Sequence, residues 1–171
     1  INKDCIAIVK PADDGMVKIK SEGYEMITVS AVDTEKQESE KETTLSLIKG
    51  VLAGIKERGY KIGGFEAYIT SDVLIGAGLS SSAAFEVLIG TVISGLYNEM
   101  LISPIEIAMI GQYAENVYFG KPSGLMDQMA SSVGSLVHID FQNPKAPVVE
   151  KVEFDFDKQG YSLCITDTKG S

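Results

Sequence analysis

The chain has 171 residues, 44% of them hydrophobic and 23% charged, the make-up of one globular domain long enough to bury a good core. Its net charge of −9 argues against unassisted nucleic-acid binding, which needs a basic face to displace phosphate counterions, and no apolar run approaches the length of a bilayer span. The two cysteines, Cys5 and Cys164, sit in apolar runs at opposite ends and read as buried free thiols of a reducing, cytoplasmic compartment; with a single histidine, no zinc cluster can form.

Taken in order, residues 4–9 are apolar and predict a strand. Asp13-Asp14-Gly15 signals a turn, Met16 to Lys20 alternates as a half-exposed strand, and Met26 to Val32 resumes after Gly23, so the opening reads as an antiparallel meander. Residues 33–42 are a run of mixed charge, read as a solvated loop or helix lead-in. Thr43 or Thr44 can cap a helix carrying Leu45, Ile48, Leu52 and Ile55, which Gly59 ends. Phe65, Ala67 and Ile69 alternate in a strand that leads to Gly76-Ala77-Gly78-Leu79-Ser80-Ser81-Ser82.

That stretch feeds a helix running to about Tyr97, apolar on nearly every side and therefore buried. Ser103-Pro104-Ile105-Glu106 has the cap, first-turn proline and glutamate of a capping box, and the helix it opens carries Glu115 near its end. Ser123 can cap a further helix through Asp127. Residues 135–140, 148–156 and 161–167 then read as three strands. Strands, then helices, then strands predict an α+β fold.

No Walker A loop is present, and no glycine stands two places after a loop serine as a nucleophile elbow requires. His138, the only histidine, falls in a strand pattern and is a poor candidate base. The glycine and serine loop has two readings: an ordinary capped turn, or an anion site in which helix amides, hydroxyls and the positive end of the dipole meet a phosphate. Glu115 in a mainly apolar helix, and Asp127 between methionines and leucine, are the other unusual polar positions, because a carboxylate in an apolar setting needs a partner, a metal or a catalytic use. Phosphoryl transfer needs a phosphate cradle, a Mg²⁺ ion and a group to take the acceptor's proton. The loop, a serine with Glu115, and Asp127 would suit those parts, although Asp127 reads equally well as a cap or an exposed helical position.

Leu74 to Ala84 resembles the second signature motif of the GHMP small-molecule kinases, P-x-G-x-G-L-[GS]-S-S-A, with Leu74 about where the proline is usual. The triple serine followed by Phe85-Glu86-Val87, Ala114-Glu115 ahead of Gly124-Leu125-Met126-Asp127-Gln128, Asp4 to Val9, and Phe119 to Gly124 are similar to the galactokinase branch of that family. The resemblance implies the GHMP amino-terminal domain, an α+β unit like the second domain of ribosomal protein S5, with a mixed sheet, helices packed on it and a left-handed βαβ crossover. It implies ATP and Mg²⁺ as cofactors and phosphorylation of galactose at its anomeric hydroxyl. Gly76, Ala77, Gly78, Leu79, Ser80, Ser81 and Ser82 would bind the ATP phosphates, and Ser82 and Glu115 the metal. Asp127 would be the catalytic base, and Gly124 and Asp127 would contact the sugar. Residues 1–171 are expected to be one such domain shortened at both ends, without the family's first and third motifs or its carboxy-terminal domain, and inactive alone. The expected partners are galactose and ATP, with no nucleic acid, membrane or obligate protein partner. The competing readings are a GHMP kinase for N-acetylgalactosamine, mevalonate or homoserine, and a kinase-like sensor that binds without turnover.

Overall fold

The computed structural model describes residues 3–73, 78–164 and 166. Strands β1 (Cys5–Ala12), β2 (Met16–Ser21) and β3 (Ile27–Ser30) are followed by helix α1 (Thr44–Glu57) and strand β4 (Gly64–Ser71). Helices α2 (Ser81–Tyr97), α3 (Pro104–Tyr113) and α4 (Met126–Val133) come next, then the hairpin β5 (Val137–Asp140) and β6 (Val148–Lys151). The main sheet has the order β1-β4-β2-β3. β4 runs antiparallel to β1 and parallel to β2, so the chain crosses from β2 to β4 by way of β3 and α1. The α+β class and the mixed sheet are as expected.

The expected meander forms only between β2 and β3. β1 and β2 are joined by a tight turn, yet β4 lies between them and pairs with both. Side-chain alternation reports which face of a strand is buried, not which strand sits beside it. Phe65, Ala67 and Ile69 of β4 are all buried, as suits a central strand. β1 is an edge strand, which explains why it continues through Pro11, where the sequence signals a turn.

The helices cover one face of this sheet. Val17, Ile19, Phe65 and Ile69 meet Ile48, Leu52 and Ile55 of α1 and Ile89 and Ile93 of α2 in one core. The helix ends follow their sequence signals. Thr43 Oγ1 accepts from the Ser46 N–H at 3.2 Å, and Ser103 and Glu106 exchange both bonds of a capping box. The charged run at 33–42 is a helix lead-in, but more than solvated. Lys49 of α1 is 1% exposed, and its Nζ lies 2.8 Å from Glu40 Oε1 and 3.0 Å from Asp33 Oδ2. Those two carboxylates make burial of the ammonium tolerable.

The end of the chain departs from expectation. β6 stops at Lys151, and residues 161–164 form no strand. Val152, Phe154 and Phe156 alternate as a strand would, but remain exposed because no edge among the described residues pairs with them. Cys5 is only half-buried and Cys164 is exposed, so neither is the fully buried thiol that its apolar run suggests. No helix of the described residues is long and apolar enough to cross a membrane.

α3 passes directly into one turn of π-helix, Ala114–Phe119, which carries Glu115. This turn packs on α1 at Gly50, where a Cβ would stand 2.7 Å from Ala114 Cα and Cβ. Backbone meets backbone there, and only glycine permits it. Gly50→Ala gains about 1 kcal/mol of helix propensity but forces the two segments apart. We expect a net loss of about 1–3 kcal/mol, measured by chemical denaturation; a variant as stable as the parent would show that this contact gives way freely.

Candidate functional site

The described part of the loop, Gly78, Leu79 and Ser80, delivers the chain to α2, which begins at Ser81. Gly76 and Ala77 lie outside the described residues. Ser80 is the residue before the first helical turn, with φ 57° and ψ 48°, and no side chain caps that turn. The hydroxyl cap expected of the serines is therefore absent. Side-chain capping requires an extended backbone at this position, whereas Ser80 is left-handed. Among the described residues the opening amides of α2 thus have no side-chain acceptor, and they stand at the positive end of the helix dipole.

The hydroxyl of Ser82 instead points sideways to the next helix layer. Ser82 Oγ donates to Glu115 Oε1 at 3.1 Å. Glu115 is 3% exposed. Its other oxygen, Oε2, accepts from Gln128 Nε2 at 2.8 Å, and Lys121 Nζ lies 3.4 Å from Oε1. Burial pushes the Glu115 carboxyl up, but the nearby Ser123 hydroxyl, hydrogen bonds from Gln128 and Ser82 and the Lys121 charge outweigh it and hold the group below the usual glutamate range. Glu115 is thus a buried carboxylate kept ionised.

The same amide nitrogen of Gln128 also donates to Glu86 Oε2 at 3.0 Å. Glu86 and Gln128 are both 0% exposed, and Gly111 of α3 makes room for them. A Cβ on Gly111 would lie 3.1 Å from Gln128 Cγ and 3.2 Å from Glu86 Cβ. Glu86 Oε1 and Gln128 Oε1 have no partner among the described residues. Buried acceptors without a donor are costly, and a proton on Glu86 removes the charge from one of these two groups. Desolvation pushes Glu86 up to about 8, with the Glu115 charge adding to the rise and Gln128 and Lys121 opposing it. Two glutamates bridged by one amide are therefore driven in opposite directions.

Asp127 is in the first turn of α4 and is exposed. The apolar setting expected from its neighbours does not surround it. Leu125 and Met129 turn inward while Met126 is 61% exposed, so the helical period puts Asp127 outside. It lines a cleft of about 660 Å³ whose walls include Gly78, Leu79, Ser80, Thr91 and Lys3. The fold thus brings Asp127 to the loop on one side, and Ser82 to Glu115 on the other. Ser81 is half-buried at the start of α2. Gly124 is exposed on the turn entering α4, with open space beside it. Ser123 does not cap α4. Its N–H and hydroxyl both donate to Asn116 Oδ1, at 2.7 and 3.1 Å, which ties the turn to the π segment instead. His138 is exposed on β5, opposite Glu150 and away from this cleft.

Sequence reasoning passed over Glu86 and Gln128. Glu86 carries the same signal as Glu115, a carboxylate inside an apolar helical run, and is legible on that ground. Gln128 has no such signal, since a glutamine beside an aspartate is an ordinary surface pattern. Among the described residues no cluster of three or more His, Cys, Asp or Glu side chains comes together. A hydroxyl and a carboxylate oxygen 3.1 Å apart nevertheless match the edge of an octahedron with metal–oxygen bonds of about 2.1 Å, and Mg²⁺ takes its remaining ligands from water and phosphate.

Residues 46–135 match the family model described as the GHMP kinases N terminal domain. The chain is 31% identical to the galactokinase of Streptomyces coelicolor over 164 residues, 96% of this chain and 42% of that protein. It is 41% identical to the galactokinase of Pyrococcus furiosus over 113 residues, 66% of this chain and 32% of that protein. Among solved structures, Lactococcus lactis galactokinase complexed with galactose superposes with a TM-score of 0.77 at 28% identity, covering 91% of this chain and 41% of that one. The chain thus spans 32% to 42% of the length of these relatives.

The raised Glu86 has a pH signature. Between its ordinary value of 4.5 and about 8 the folded chain keeps a proton that the unfolded chain has released, so this group's contribution to stability falls as pH rises through that window. Glu86→Gln removes the penalty. Its melting temperature relative to the parent is expected to rise by several degrees from about pH 5 to about pH 8. Thermal melts across that range check it, and a difference that stays flat with pH would mean that Glu86 titrates normally.

Proposed function

The chain belongs to the GHMP kinase family, and from that premise we propose that it forms the phosphate-binding and proton-accepting part of an ATP-dependent galactokinase. The observation that carries this reading is one cleft lined by both the serine loop and the Asp127 carboxylate, with the Ser82–Glu115 pair at the start of the same helix. Residues Gly76 to Ser82 would cradle the phosphates on uncapped amides and hydroxyls. Ser82 and Glu115 would hold Mg²⁺, whose positive charge, when bound, offsets that building on the phosphate oxygens. Gly124, on the turn before Asp127, would pass close to the sugar.

Asp127 takes the proton of the sugar's anomeric hydroxyl as its oxygen forms a bond to the γ-phosphorus of ATP. The bond from that phosphorus to the β,γ-bridging oxygen breaks, and ADP leaves. The products are galactose 1-phosphate, ADP and a proton held on Asp127 until solvent removes it. Exposure of Asp127 to the cleft supports that role, since a base must reach both substrate and water. The free thiols Cys5 and Cys164 suit the reducing cytoplasm.

In the full-length protein, Asp127→Asn is expected to keep ATP affinity and to lower kcat by about 10²–10⁴-fold. Phosphorus NMR of product formation with galactose and MgATP, beside calorimetric ATP binding, checks this. Turnover near the parent level would take the base role from Asp127. An unmodified protein that binds ATP and galactose without making product would be a sensor rather than a kinase.

A further inference from the structure

Gln128 bonds two buried carboxylates, one of which the proposed chemistry needs held in register. It follows Asp127 in the first turn of α4, yet it points inward while Asp127 faces the cleft. Its amide nitrogen bonds Glu115 on the π segment and Glu86 on α2, at 2.8 and 3.0 Å, and all three side chains are buried. A carboxylate on a glutamate has a broad, soft terminal torsion. Fixing one of its oxygens fixes the direction of the other.

We infer that Gln128 is a positioning residue, whose buried amide, anchored on Glu86, holds Glu115 Oε2 so that Oε1 stays turned toward Ser82. This rests on the metal-holding role proposed above for Ser82 and Glu115. Glu86 contributes as the amide's second anchor and is not among the residues that line the cleft. A glutamine suits this place because one NH₂ group supplies two hydrogens, one for each carboxylate. A second, outward carboxylate oxygen on Glu115 is left for Ser82 and for a cation, and Lys121 already lies beside it.

The test uses the full-length protein with Mn²⁺ as the probe, followed by electron paramagnetic resonance in the presence of ADP. Gln128→Met keeps the side-chain length and removes the amide. It is expected to weaken Mn²⁺ binding in the ADP complex by about 10- to 100-fold. Affinity for ADP without metal is expected to move by less than about twofold, because the amide bonds only the Glu115 and Glu86 carboxylates and none of the three lines the cleft. Glu86→Met, which removes the anchor from a different helix, is expected to act in the same direction and carries the test if Gln128→Met does not fold. Glu86→Gln keeps an acceptor for the amide and is expected to retain the parent's metal affinity. Metal affinity unchanged in a folded Gln128→Met or Glu86→Met protein would reduce this amide to core packing and overturn the inference. An unmodified protein whose ADP complex takes no Mn²⁺ would instead remove the metal-holding role itself, and the positioning role with it.

Discussion

Two carboxylates inside one helical layer repel each other and lose their water, and nothing nearby is basic enough to neutralise both. The chain resolves this with a neutral amide. Gln128 donates to Glu86 and Glu115 together, a serine hydroxyl and an exposed lysine complete the shell of Glu115, and Glu86 is left to carry a proton. α2, the π segment and α4 meet at this knot, so the arrangement of three elements depends on its being satisfied. An unsatisfied buried network of this kind would cost more than an apolar core of the same volume.

The packing around the knot is arranged to admit it. Gly50 lets α1 touch the backbone of Ala114, one residue before Glu115, and Gly111 opens the space that Glu86 and Gln128 fill. The π turn then widens the helix where Glu115 has to reach Ser82, and such insertions are common at functional positions. On the solvent side of the same layer, the left-handed Ser80 leaves the start of α2 without a side-chain cap. The uncapped turn at Ser80 and the bonded hydroxyl of Ser82 lie within two residues of each other.

Much of this was legible from the sequence, for local reasons. The caps at Thr43 and Ser103, the periodicity of α1 and the alternation of β4 are each decided within a few residues, and the structure follows them. The pairing of Ser82 with Glu115 came only through resemblance, since spacing says nothing of convergence across 33 positions. What stayed hidden depends on distant groups. β4 enters between β1 and β2, Lys49 is buried on partners from the charged run, and Gln128 faces inward, each because of something far along the chain. The strand expected at 161–167 does not form over its described residues 161–164 for the converse reason: the pattern is strand-like, but such a segment needs an edge to join.

The interposed strand also has a kinetic meaning. β1 and β2 are joined by a three-residue turn, and a hairpin between them is a microsecond event. In the native sheet they never touch, because β4 occupies the gap. A hairpin between β1 and β2, were it to form, would have to come apart, whereas the central pairings close loops of several tens of residues. Folding of the sheet waits on residues 64–71: while a nascent chain is shorter than that, β2 can pair correctly only with β3, and β1 has no correct neighbour at all.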